Sequence, residues 1–373
     1  MLVRRRLLVP VAALAAALSL SAPPAQADDD NGKSSHRDLT VATYNLYLGG
    51  DIAPVLNPAG DPLAAAAKLF ADVQATRFPE RALALAELIA DERPHVVGLQ
   101  EVSLWEVGAL PTGPFAAVLD FQALLLTALA AEGVPYVAVA TNDNFASPPV
   151  PVPGAGFVKL TDRDVIIVRA DVLGSRLLTT NVSEQNNFTA RLETTLPSIG
   201  SIAVLRGWSS VDVTFSGKTV RVANTHLEVD SFAPIRDAQA QELAAALGAS
   251  PHPVVVLGDL NADPGSGAAK ILVDALDLED AWEEEGSGPG DTAGQDALLR
   301  NDPSTLDRRI DYVLYQDDRR PRVEADDVEV IGEEPADRTV SGLWPSDHAG
   351  VVADLELRGG PSRPDRPERP DDD

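Results

Sequence analysis

The chain has 373 residues, no cysteine and a formal charge of −27, which together exclude disulfides, thiolate metal sites and a cysteine nucleophile. Any bound metal must therefore sit on oxygen or imidazole. The charge opposes long-range attraction to nucleic acid or an anionic membrane, without excluding a nuclease whose approach to a polyanion is screened by divalent cations.

In chain order, Arg4, Arg5 and Arg6 precede an apolar run from Leu7 to Leu20 and then Ala25-Gln26-Ala27. This predicts a removable export signal over 1–27, cut after Ala27, and hence a secreted protein. Residues 28–38 read as a flexible segment, 39–357 as one folded domain, and 358–373, rich in Pro, Asp and Arg, as a disordered tail. No run after the signal is long and apolar enough to predict a membrane span, and the chain reads as a monomer.

Short β-type runs recur through the domain: LTVATYN, HVVGLQE, YVAVA, DVIIVR, SSVDVTF, KTVRVANTHL, PVVVLGDLN, RIDYVLY and GVVADLEL. Helices separate some of them. Asp61-Pro62 forms an N-cap and first-turn pair before LAAAAKLFADV. Ala82, Leu85, Ala86 and Ile89 fall at i, i+3, i+4, i+7 before Pro94, and Ala240, Leu243, Ala244 and Leu247 repeat the spacing before Gly248. Strands apolar on both faces, such as Val254 to Leu257, imply sheets whose outer faces are covered by helices.

Five polar clusters stand at the ends of these runs, where a rigid scaffold can hold them around one cleft: Tyr44-Asn45, Gln100-Glu101, Asn224-Thr225-His226, Gly258-Asp259-Leu260-Asn261 and Ser346-Asp347-His348. Asp311, inside RIDYVLY, is a sixth candidate. Singly, such residues are turn formers, solvated acids or caps. Asp259, Asn261 and Asp263 imitate the start of an EF-hand loop, but Pro264 replaces the required glycine and Lys270 the closing glutamate. Ser346, Asp347 and His348 have the residue types of a serine-hydrolase triad, yet adjacent residues project in different directions and cannot form its relay.

TYN, LQEV, NTHL, GDLNADP, RIDYVLY and SDH, in this order, resemble the endonuclease/exonuclease/phosphatase superfamily, which includes the DNase I-like nucleases. The resemblance implies an α/β fold, a two-sheet β-sandwich flanked by helices in four α/β/β/α layers. It also implies in-line attack by water on a phosphoester, assisted by a divalent cation: Mg²⁺, with Mn²⁺ or Ca²⁺ as alternatives. Carried onto this chain, Asn45, Glu101 and Asp347 serve the metal, and His348 is the general base oriented by Asp311. Asp259 and Asn261 position nucleophile and phosphoryl group, and His226 donates to a non-bridging phosphate oxygen. Arg163 and Arg206 are further candidates for phosphate contact. His36, His95 and His252 receive no catalytic role.

The expected activity is that of a phosphodiesterase acting on nucleic acid or a phospholipid head group. A phosphomonoesterase resembling inositol phosphatases is the alternative, and a secreted binding protein without turnover a third reading. The acidic charge weighs against tight DNA binding, and the low aromatic content of 5% against deep membrane engagement. The stretches 102–114, 142–160 and 179–200 are where this superfamily encodes substrate choice.

Overall fold

The computed structural model describes residues 38–359. The expected export signal, residues 28–37 of the polar segment and residues 360–373 of the tail lie outside the described residues. Asp38 and Arg358, expected in the flexible ends, are instead paired in strands, Asp38 opposite Glu356 and Arg358 opposite Arg322.

The first sheet runs in the order Arg322–Ile331, Gly350–Arg358, Asp38–Asn45, Val96–Gln100, Gly156–Arg169, Leu104–Gly108, Ala116–Asp120. Strands Tyr136–Ala146 and Val150–Val152 also pair with Gly156–Arg169. The second sheet runs Glu279–Asp280, Asp311–Tyr315, Val254–Asp259, Lys218–His226, Gly207–Phe215, Leu178–Asn187. Side chains alternate across each strand. Leu39 and Val41 therefore join Val96, Ile166, Val213, Val222, Val255 and Val313 between the sheets, while Ala42 and Tyr44 face the helices outside.

Helices clad both outer faces, giving four layers. Pro62–Ala75 starts where the Asp61 carboxylate accepts from the amides of Leu63 and Ala64, two of the donors that a helix leaves unpaired. Phe78–Glu92 buries Ala82, Leu85, Ala86 and Ile89 on the first sheet and stops at Arg93, which turns left-handed before Pro94. Ala233–Leu247 buries Ala240, Leu243, Ala244 and Leu247 on the second, beside Gly267–Leu276. Each buried Leu or Ile contributes about 2 kcal/mol, so packing holds these short helices more than propensity does.

The two longest strands outside the pattern of apolar runs share one reason for it. Leu178–Asn187 and Arg322–Ile331 are the end strands of their sheets, and their sequences, LTTNVSEQNN and RVEADDVEVI, are polar and acidic. Edge strands carry charge, which discourages pairing with other chains. Among the described residues no helix is long and apolar enough to cross a membrane.

Candidate active site

Strand register assembles the polar strand ends into two rows. Asn45 stands beside Gln100 where two parallel strands of the first sheet end. In the second sheet, His226 pairs in register with Asp259, and Asp259 with Asp311. The loop before Gly350–Arg358 brings Ser346, Asp347 and His348 to the same end, where Ser346 Oγ donates to Asn45 O at 2.6 Å.

Asp259 is the hub. Its Oδ2 accepts from Asn45 Nδ2 at 3.1 Å and lies 3.4 Å from His226 Nε2 and 3.8 Å from His348 Nε2. Its Oδ1 accepts from the amide of Asn261 at 2.9 Å. Burial, then the charge of Asp311, pushes the Asp259 carboxyl up to about 7, against the pull of His348. His348 Nδ1 lies 2.8 Å from Asp311 Oδ2, and Thr292 Oγ1 holds Asp311 by accepting its amide at 3.2 Å. Burial opposes a charge on His348, but Asp311 and then Asp347 more than offset it and raise its pKa well above the ordinary value.

His226 is in the opposite electrostatic position. Burial, then Arg206 and His348, lowers its pKa well below the ordinary value, which favours the neutral ring. Arg206 Nη1 lies 2.9 Å from His226 Nδ1, and Arg206 Nη2 lies 3.7 Å from Glu228 Oε1. Asn261 Nδ2 donates to Leu227 O at 3.0 Å and stands 3.2 Å from His226 Nε2.

Across the cleft, Glu101 Oε2 accepts from the amide of Leu48 at 2.5 Å, and Asn45 Oδ1 from that of Tyr47 at 2.9 Å. Asp347 is pushed up to about 7 by burial, with Glu101 adding to the shift and His348 and Arg81 opposing it. The carboxylates of Glu101 and Asp347 beside the amide oxygen of Asn45 form a hard, all-oxygen donor set of the kind a divalent cation takes. Asp259, Asp311 and His348 form the one His/Asp/Glu group among the described residues whose ligand atoms lie within 4.8 Å of one another. An ion there would compete with the His348–Asp311 pair. Of ten non-glycine residues with left-handed φ among those described, Tyr47, Glu101, Arg206 and Asn261 lie at this cleft, where such backbone costs are characteristically retained.

Some sequence candidates have other partners than expected. Arg163 donates to Val102 O at 2.8 Å and Asp120 Oδ1 at 2.7 Å, and Arg206 Nη1 faces His226 Nδ1 at 2.9 Å. Gln100 and Asn224 bond to one another between the sheets and face away from the cleft. Sequence reasoning missed Arg81. Its guanidinium is wholly buried and donates to the carbonyls of Leu46, Tyr47, Thr76 and Pro345, tying the loop after Asn45 to the loop before Asp347. A charged residue on the apolar face with Phe78, Ala82 and Leu85 was the available signal. Asp162 and Asp164, two buried acids on the strand Gly156–Arg169, were likewise missed.

Two helix-clad sheets with chemistry gathered at their shared edge place the chain in the DNase I-like class of α/β/β/α proteins. It belongs to the endonuclease/exonuclease/phosphatase family, whose sequence pattern matches residues 42–348. Solved structures share the fold. An endonuclease/exonuclease/phosphatase protein from Bacteroides vulgatus is 18% identical with a TM-score of 0.53, covering 86% of this chain and 99% of that one. A mannosyl-6-phosphatase from Bacteroides thetaiotaomicron is 19% identical with a TM-score of 0.51, covering 85% of this chain and 99% of that one. None of the curated proteins matches this chain. The family's members hydrolyse phosphoester bonds.

Proposed function

We propose that this chain is a secreted, metal-dependent phosphodiesterase in which His348 is the general base. The observation that carries the reading is the His348–Asp311 pair, with Nε2 of the same imidazole turned toward buried Asp259. A carboxylate at Nδ1 leaves Nε2 to take a proton from water and stabilises the imidazolium that results. Asp259 and Asn261 position the water and the phosphoryl group, and His226 donates to a non-bridging oxygen. Asn45, Glu101 and Asp347 would hold the divalent cation, Mg²⁺ by preference, which supplies positive charge against phosphate oxygens when bound.

The diester preference is supported by the arginines around the cleft. Arg163 and Arg206 are each engaged by protein acceptors. A monoester dianion calls for more free positive charge than a diester monoanion does. The neighbour named as a mannosyl-6-phosphatase keeps a monoesterase as the second reading.

The test is a substrate panel of duplex DNA, RNA, sphingomyelin, a bis-aryl phosphodiester and an aryl phosphomonoester, each with Mg²⁺, Mn²⁺, Ca²⁺ or EDTA. The expected result is cation-dependent hydrolysis, faster on the diester than on the matching monoester. Full activity in excess EDTA would overturn the metal dependence, and faster monoester turnover would promote the phosphatase.

A further inference from the structure

His226 and His348 present the same atom, Nε2, to the same oxygen, Asp259 Oδ2. Their Nδ1 atoms have opposite partners. His348 Nδ1 faces a carboxylate oxygen, whereas His226 Nδ1 faces a guanidinium nitrogen at 2.9 Å. A guanidinium has five N–H donors, no acceptor, and does not lose its proton in proteins. The atom it faces must therefore offer a lone pair, and the single ring proton of neutral His226 belongs on Nε2.

Asn261 completes the argument. Its amide nitrogen is oriented by donation to Leu227 O, and turned over it would set its oxygen against that carbonyl. If Asn261 also donated to His226 Nε2, both ring nitrogens would be acceptors and the ring would be an imidazolate, which these conditions do not support. Nε2–H is thus directed to Asp259 Oδ2 at 3.4 Å and to the cleft.

Arg206 is built to hold this position. Its amide donates to Asn144 O at 3.2 Å, its carbonyl accepts from Phe188 N at 3.2 Å and Asn187 Nδ2 at 3.1 Å, and its φ is +42°. These bonds fix the backbone from which the side chain extends; that side chain is 12% exposed, and swinging toward solvent or substrate would give up its contact with His226 and its ion pair with Glu228.

We propose that Arg206 is a positioning residue that fixes His226 as the neutral Nε2–H tautomer, making His226 a hydrogen-bond donor only and confining proton abstraction to His348. The part concerning phosphate oxygen rests on the phosphodiesterase reading. The tautomer itself does not.

The experiment is long-range ¹H–¹⁵N correlation of the histidine ring nitrogens in the full-length protein at neutral pH, with His226 assigned by its loss in His226→Gln. Wild type should show a protonated Nε2 and an unprotonated Nδ1. Arg206→Lys, still only a donor, should keep that pattern, whereas Arg206→Gln, whose amide can donate or accept, should give a mixture or the Nδ1–H form. Arg206→Gln should lower kcat on the bis-aryl diester about tenfold, part of the value of one oxyanion donor, and Arg206→Lys should restore most of it. An Nδ1–H tautomer in wild type, or an unchanged Nε2–H tautomer in folded Arg206→Gln, would overturn the proposal. If Arg206→Gln does not fold, the wild-type spectrum still decides. The expected spectrum from a protein without phosphodiesterase activity would uphold the tautomer and sink the catalytic reading, so the two failures are separable.

Discussion

Gln100 Nε2 donates to Asn224 Oδ1 at 2.7 Å across the gap between the two sheets. Glu101 follows Gln100 in the chain and His226 lies two residues beyond Asn224, so this bond spaces the two walls of the cleft. Gly98 makes room for it, because a Cβ there would stand 2.6 Å from Asn224 Oδ1. Asn224 Nδ2 also donates to Leu99 O at 3.0 Å. Asn224→Leu should therefore destabilise the protein by about 3 kcal/mol, the cost of leaving buried polar groups unpaired, as read from urea unfolding. Unchanged stability would show that the sheets do not depend on this bond.

His348→Ala should lower kcat by roughly two to four orders of magnitude while the fold survives, the usual contribution of positioned acid–base catalysis. Asp311→Asn acts on the same step, so the double variant should lose much less than the product of the single losses. The base must be unprotonated to work, and the His348 pKa is raised. Wild-type activity should therefore fall as pH drops through a value above that of an ordinary histidine, and this acidic limb should vanish in His348→Ala. A pH–rate profile of both proteins checks the sign.

Arg81→Met should destabilise the protein by about 3 kcal/mol or more, since it leaves the carbonyls of Leu46, Tyr47, Thr76 and Pro345 without their donor. It should also weaken divalent-cation binding by freeing the loops that carry Asn45 and Asp347. Calorimetric titration with Mn²⁺ separates the second effect from the first.

Removal of the cation should be visible without a substrate. Mg²⁺ at a hundred times its Kd would add about 2.7 kcal/mol of stability, and EDTA should remove that increment. Glu101→Gln should reduce the cation-dependent rise in Tm. An equal rise in wild type and variant would exclude Glu101 as a ligand.

Asp164 is wholly buried, and neither carboxylate oxygen has a hydrogen-bond partner within normal length. Burial, then Asp162, raises its pKa well above the ordinary value. The folded state therefore holds a proton that the unfolded state releases, and stability declines as pH rises above about 4, until Asp164 itself ionises. Asp164→Asn should make the metal-free protein more stable near neutral pH and flatten this decline. Thermal melts between pH 4 and 8 give the comparison, and a lower Tm for the variant at pH 7 would refute the argument.

The sequence alone carried the layered fold and the residue types of the cleft. Strands buried on both faces must be apolar runs, and helices covering them must repeat every three or four residues, so both leave a local record. A polar residue that abruptly ends such a run is visible for the same reason, which made Asn45, Glu101, His226, Asp259 and His348 legible. Tertiary structure decided their partners. Arg206 reads as a basic residue before a strand until the sheet places it on His226 Nδ1. Gln100 and Asn224 read like their neighbours until the pleat turns them between the sheets and Glu101 toward the cleft. A residue type specifies what a side chain can donate or accept, but register and the spacing of packed sheets determine what stands within 3 Å of it, and that contact separates a base from a donor and a phosphate ligand from a positioning group.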